Sequence, residues 1–223
     1  KKYLKKLGAR NIKFLGNLKF SQSENLSSEL NKNLKRFIHS KKSWCASSTH
    51  FNEEKFCGLV HIKLKKKYKN FLTIIIPRHI NRVKSIENEL SSLNLKVHLD
   101  DPPKKINANT DVYLVNSYGK TKSFYKECKN VFLGGSLIKH GGQNPLEAVR
   151  YGCNVFHGPN ISNFQEIYKF LKSRNLSRKV VNNQNLASLL TLNFKKKTKH
   201  QKIIKILNLI GQNILHKTYK EIC

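Results

Sequence analysis

The stretch Val131–Val149, VFLGGSLIKHGGQNPLEAV, decides how the chain is read. A short apolar run, Val131 to Leu133, stops at Gly134-Gly135-Ser136. A second pair, Gly141-Gly142, leads into Gln143-Asn144-Pro145-Leu146-Glu147. Pro145 suits the first position of a helix and Asn144 its N-cap, so the pattern predicts a strand over Val131–Leu133 and a helix over Pro145–Tyr151. Backbone without Cβ is used where something else must come close. A helix cap needs no such approach upstream, so the paired glycines point to a ligand. Glu147 then lies in the first helical turn near the strand ends, where a carboxylate can accept hydrogen bonds from a ribose diol. The plainer alternative is a Glu that only caps its own helix.

Working outward, strand-like and helix-like segments alternate at short intervals. Phe71 to Ile76 is a continuous apolar run ended by Pro77, as expected of a strand buried on both faces. Trp44–Ser48, Lys96–Leu99, Val112–Val115, Asn154–Phe156 and Lys179–Val181 read as further strands. Helices are expected over Asn52–Tyr68, Arg82–Leu93, Lys120–Lys129, Asn163–Ser173, Ala187–Leu192 and Ile203–Tyr219. Glu53 and Glu54 would occupy the first turn of the first of these, where acidic groups suit the positive end of the helix dipole. Such alternation predicts an α/β fold, a Rossmann-like parallel sheet with helices on both faces. In such sheets ligands bind outside the carboxyl ends of the strands. The unusual residues lie at those ends. Arg78, after Pro77, can hold a phosphate by two parallel hydrogen bonds or form a surface ion pair. Asn116-Ser117-Tyr118-Gly119 can offer backbone N–H groups to an anion or be an ordinary strand-to-helix turn. Ser47-Ser48-Thr49-His50 can hold phosphate or carboxylate, or be a plain cap run with a surface His.

Composition bounds the reading. The 223 residues include 39% hydrophobic ones, enough to build a core. No apolar run approaches the roughly 18 residues of a membrane span. The five Cys are scattered, with no CxxC pair, and are expected to be reduced thiols. The 43 Lys and Arg against 13 Asp and Glu give a formal charge of +30. That favours anionic partners, although a Lys- and Asn-rich coding bias would give the same look. The runs Lys63 to Lys69 and Lys195 to Lys199 read as solvated faces. The chain contains no Met, which leads to the expectation that it continues a longer protein. Residues 1–40 are expected to form an inter-domain segment and the entry to the domain. Residues 41–195 would be the Rossmann-like domain, and 196–223 a C-terminal helix.

Several motifs occur in one order: GNLKF at Gly16–Phe20, ASSTHFNEE at Ala46–Glu54, PRHINR at Pro77–Arg82, the glycine stretch above, and GPNISNFQEI at Gly158–Ile167. Together they resemble the C-terminal half of 3-deoxy-D-manno-octulosonic acid (Kdo) transferases, lipid A glycosyltransferases of Gram-negative bacteria. The resemblance implies a two-domain GT-B enzyme whose N-terminal domain is missing here. It implies inverting transfer of Kdo from CMP-Kdo to the lipid A precursor, at the cytoplasmic face of the inner membrane. It places the CMP contacts on Pro77 and Arg78, on Ser117, Tyr118 and Gly119, and on Asn144, Pro145, Leu146 and Glu147. The family's catalytic Glu belongs to the N-terminal domain, so no catalytic residue is expected in this chain. Three departures stand out. Lys120 replaces the acid of the family's GEL, Gln143 replaces the His of GGHN, and NSYG stands for DTMG. The first two also allow a diverged pseudo-enzyme.

No acidic pair of DxD type sits at a strand end, so neither a metal nor a cofactor is expected. Asp100-Asp101, before Pro102-Pro103, reads as a loop. The expected partners are CMP-Kdo, the lipid A precursor, an anionic membrane surface and the chain's own N-terminal domain. The alternatives are another GT-B nucleotide-sugar transferase and a basic nucleic-acid-binding module. The latter is disfavoured because aromatics do not interleave with the Lys runs.

Overall fold

The structure is a computed structural model that describes residues 2–22, 29–195 and 201–222. Most of the Lys195–Lys199 run and Cys223 lie outside the described residues. Two compact units are formed, residues 1–25 with 201–223, and residues 26–200. In chain order the strands are β1 Lys42–Thr49, β2 Phe71–Pro77, β3 Val97–Leu99, β4 Val112–Leu114, β5 Asn130–Leu133, β6 Asn154–His157 and β7 Ser177–Lys179. The helices are α1 Lys2–Lys6, α2 Lys32–His39, α3 Glu53–Lys65, α4 Val83–Ser92, α5 Thr121–Glu127, α6 Leu146–Arg150, α7 Gln165–Lys172, α8 Asn183–Phe194 and α9 Gln201–Ile222.

The larger unit is a seven-stranded sheet in the order β3-β4-β2-β1-β5-β6-β7, with every pair parallel. Such a sheet needs a cover on each face, and its central strands read as unbroken apolar runs. All of β2, FLTIIIP, is buried, as is all of β5, NVFL. From β1 the chain winds through α3 and α4 toward one edge, and from β5 through α6 and α7 toward the other. Right-handed crossovers running in opposite directions put helices on opposite faces. Accordingly α3 packs on α4 and α8, whereas α5 packs on α2 and α6. The core on the α3 side gathers Trp44, Val60, Leu64, Ile75, Ile86 and Leu190. The direction of winding reverses between β1 and β5, which is the switch point where this kind of sheet opens a crevice.

The expected pattern holds with small shifts. β7 is Ser177–Lys179 rather than Lys179–Val181, because Ser177 carries the buried position while Val181 is 68% exposed. The helix expected from Pro145 begins at Leu146, with Pro145 at the N-cap. Asn144 still caps the turn, its Oδ1 accepting from Leu146 N at 3.1 Å. The segment 1–40 contains α2, which the pattern did not announce. Only Leu34 and Ile38 of its eight residues are buried, too sparse a stripe to stand out among lysines and asparagines. In the smaller unit, α9 carries Gly211, and a Cβ there would lie 2.2 Å from the carbonyl oxygen of Phe20 in the short helix Leu18–Ser21.

Candidate functional site: the carboxyl rim of the sheet

β1 ends irregularly. Its register against β2 shifts between Ser47 and Thr49, and Ser48 has φ +54, a left-handed backbone uncommon for a residue with a Cβ. Just beyond, α3 opens with two buried carboxylates. Glu53 is 1% exposed, and its oxygens accept from four backbone amides: His50 at 2.9 Å, Gly135 at 2.7 Å, Ser136 at 3.1 Å and Leu137 at 2.9 Å. Burial pushes the Glu53 pKa up, and these amide donations pull against it. Glu53 thus clamps the loop after β5 to the end of β1.

The clamp corrects the reading of the paired glycines. A Cβ on Gly134 would lie 2.3 Å from Ser48 O, 2.6 Å from Thr49 Cα and 2.7 Å from Glu53 Oε2. On Gly141, which has φ +94, it would lie 2.4 Å from Asn163 Nδ2. What comes close to these glycines is the protein itself, so their presence carries no argument for a ligand. Glu53 and Glu54 are likewise not simple dipole partners. Glu54 is fully buried and takes a two-pronged hydrogen bond from Arg82, 3.1 Å on each oxygen. Of the run that could hold an anion or be a plain cap, Ser47 is already engaged, its Oγ 2.5 Å from Tyr125 Oη.

The residues assigned to CMP occupy the loops after β2, β4 and β5. Pro77 closes β2 and is buried. Arg78 donates its backbone N–H to Thr49 O at 2.9 Å; its side chain is exposed and has no hydrogen bond or ion pair among the described residues. Ser117 Oγ donates to Asp100 Oδ2 at 2.9 Å, Tyr118 is 71% exposed, and Gly119 has φ +86 with open space around it. In the third segment Leu146 is wholly buried, so it can offer only backbone. Glu147 is partly exposed, and Lys122 of α5 lies 3.5 Å from its Oε1. All three segments therefore lie on one rim, tied by contacts between α5 and α6 and by the Arg78–Thr49 bond.

Two features of the rim go beyond the sequence reading. Asp100, read as loop, is 8% exposed and gathers Tyr113 Oη at 2.6 Å, Ser117 Oγ and Lys120 Nζ. Burial alone would raise its pKa, but the Lys120, Tyr113 and Ser117 hydrogen bonds outweigh that and hold it below the usual value. Lys120 thus faces Asp100 and braces the Ser117–Gly119 turn. An Asp immediately after an apolar strand was the available signal. Beside this brace a cavity of about 720 Å³ opens between α2 and the β3 and β4 ends, lined in part by Leu34, Phe37, His98, Lys104 and Lys120. The second feature is His50, 7% exposed and not on the surface. Its ring lies 4.5 Å from that of His140 and 5.7 Å from that of His79. No group of His, Cys, Asp and Glu among the described residues is arranged to hold a metal ion.

The architecture is that of the C-terminal domain of GT-B glycosyltransferases. It superposes on the C-terminal CMP-Kdo binding domain of WaaA from Acinetobacter baumannii with a TM-score of 0.68, covering 82% of this chain and 93% of that domain at 23% identity. No protein-family model matches the chain. Its sequence relatives narrow the class. The 3-deoxy-D-manno-octulosonic acid transferase of Haemophilus influenzae is 35% identical over 128 residues, 57% of this chain and 30% of the relative. That of Rickettsia prowazekii is 32% identical over 192 residues, 83% of this chain and 40% of the relative. The resemblance to Kdo transferases read from the motifs therefore holds across most of the chain, which spans well under half the length of these two relatives.

Proposed function

We propose that this chain is the donor-binding half of an inverting glycosyltransferase that transfers Kdo from CMP-Kdo to the lipid A precursor. The observation that carries the reading is the 32% identity with a Kdo transferase over 192 residues. The arrangement of the rim supports it. Arg78 keeps its guanidinium unengaged, ready to form two parallel bonds to a phosphate. Gly119 leaves an open backbone where a base or phosphate can approach. Glu147, oriented by Lys122, is the acceptor for a ribose diol. As the glycosidic bond breaks, negative charge grows on the departing CMP phosphate, and fixed donors there lower the barrier because they need no reorganisation. The base that activates the acceptor hydroxyl would come from an N-terminal domain of the longer protein. The chemistry needs no metal or cofactor from this half. The excess of positive charge fits work at the anionic cytoplasmic face of the inner membrane, near the phosphorylated acceptor.

Calorimetric titration tests the donor. CMP should bind while UDP and GDP do not, and Arg78→Ala should weaken CMP about tenfold, roughly 1.4 kcal/mol. Equal binding of all three nucleotides, or none of CMP, removes the CMP-sugar reading.

A further inference from the structure

The rim contains a polar group that the donor reading leaves unused. His50 follows β1, and its ring lies among those of His79, from the loop after β2, and His140, from the loop after β5. Its two nitrogens are not equivalent. Nδ1 is 3.0 Å from the carbonyl oxygen of Ser48, the residue at the β1 bulge with φ +54. A carbonyl can only accept, so Nδ1 carries the hydrogen and Nε2 is left with a lone pair. That Nε2 is enclosed and has no hydrogen-bond partner. Buried polar atoms in native proteins are nearly always paired, and one that is not calls for an explanation.

The charges around His50 indicate what the missing partner is. His79, His140 and Arg78 face it from two other loops; both neighbouring imidazoles are exposed and so free to move aside. Among the described residues the acid paired with His50 is Glu53, whose Oε2 is 3.8 Å from Nδ1, on the side away from Nε2, and is already committed to the amides of His50 and Gly135. Burial, reinforced by His140, His79 and Arg78, holds the His50 pKa below its ordinary value, the Ser48 carbonyl pulling the other way, so the free protein holds a neutral imidazole at pH 7. An incoming anion offsets the burial and charge repulsion that together keep it neutral, and favours the protonated ring. The three histidines are not in metal-ligating arrangement; an oxyanion suits the fixed positive charge of Arg78 beside them and pairs with Nε2 once that nitrogen is protonated.

We propose that His50 is an oxyanion-binding residue of the crevice: a phosphate or carboxylate entering beside it is bound through Nε2, which takes up a proton from solvent in the process. One N–H bond forms at Nε2, no bond of the ligand breaks, and the proton returns to solvent when the anion leaves. The inference rests on the donor reading to the extent that a CMP-linked sugar acid carries both kinds of oxyanion.

The test follows the imidazole ¹⁵N resonances of His50 in the 223-residue chain at pH 7.5, with CMP, cytidine, free Kdo and inorganic phosphate as separate probes. Calorimetry in buffers of different ionisation enthalpy counts protons. CMP is expected to move Nε2 from the unprotonated to the protonated shift with uptake of about one proton, while cytidine does neither. Free Kdo doing the same assigns the site to the carboxylate, and inorganic phosphate doing so assigns it to the phosphate. His50→Gln should bind CMP about tenfold more weakly at pH 6.5, with the deficit shrinking at pH 8.5. Because the resonance and proton count are read on the unaltered chain, a misfolded variant does not void the test. If CMP binds while none of CMP, free Kdo and phosphate protonates Nε2 or brings proton uptake, the role of His50 is overturned and the donor reading stands. If CMP fails to bind but phosphate or Kdo protonates Nε2, the site stands and the CMP reading falls. If no probe binds and none moves the resonance, both fall.

Discussion

Arg78 and Arg82 stand four residues apart in PRHINR, yet the fold gives them opposite duties. Arg82 lies over the face of Phe51, 5.8 Å from the ring centroid, and neutralises Glu54, which has no exposed surface. Removing one partner of such a pair leaves a buried charge alone, which typically costs about 3–5 kcal/mol. Arg82→Ala should therefore lower stability by that order in urea denaturation, whereas Arg78→Ala should change it by less than about 0.5 kcal/mol. Equal losses would mean the two side chains are not divided between structure and ligand. Gly134 makes a second residue-level case. A Cβ there meets backbone at 2.3 Å and 2.6 Å, which no rotamer change can relieve. Gly134→Ala should cost roughly 1–3 kcal/mol through overpacking. A neutral Gly134→Ala would show that the β1 and β5 ends can part freely, and the Glu53 clamp would lose its meaning.

At the scale of elements, α3 links both ends of the sheet. Its first turn clamps the carboxyl rim through Glu53, and its far end anchors a buried polar chain. Trp44 Nε1 donates to Thr73 Oγ1 at 2.8 Å, and Thr73 Oγ1 lies 3.0 Å from His61 Nδ1. A hydroxyl that accepts from Trp44 can donate onward to Nδ1, so His61 carries its hydrogen on Nε2. That nitrogen faces Asp111 Oδ1 at 3.4 Å, too long for a good hydrogen bond but close enough for attraction. Lys65, also on α3, completes the pairing of Asp111. Burial lowers the pKa of His61, against the pull of Asp111, and lowers that of His157 at the end of β6, against the Gly158 carbonyl. The sign follows from linkage. Below about pH 6.5 the unfolded chain binds protons on these histidines that the folded chain refuses, so acid favours unfolding. The melting temperature should be flat from pH 8 to 7 and fall steadily as pH drops from 6.5 to 5.5. The loss should reach at most ~1.4 kcal/mol per pH unit for each histidine. A profile still flat at pH 5.5 would rule out neutral buried imidazoles.

On the scale of the whole molecule, the charge of +30 is the largest single feature. Near an anionic bilayer each surface Lys or Arg adds about 1 kcal/mol of attraction, and that attraction is screened by salt. No described helix is long and apolar enough to cross a membrane. If the proposed setting is right, the chain should co-sediment with vesicles containing anionic lipid, fail to do so with neutral vesicles, and be released as salt rises from about 50 to 300 mM. Binding that ignores both lipid charge and salt would remove the membrane from the proposal and leave the nucleotide site untouched.

The sequence by itself determined the α/β class, the parallel sheet, nearly every strand and helix, and the family resemblance. These rest on local signals, namely the unbroken apolar run of β2, the periodic faces of the helices and short ordered motifs, and they survive without knowledge of what packs where. Tertiary structure alone decided which polar residues serve the fold and which remain for a ligand. Gly134 looked like room for a substrate until Ser48 and Glu53, eighty or more residues earlier in the chain, filled it. Asp100 lies in a loop, as read, but only the fold closes Tyr113, Ser117 and Lys120 on it. His50 could be read either as part of an anion-holding turn or as a surface residue until loops from three strands enclosed it. A hydrogen bond joins groups by distance in space, and spacing along the chain carries no record of it until the strands are set side by side.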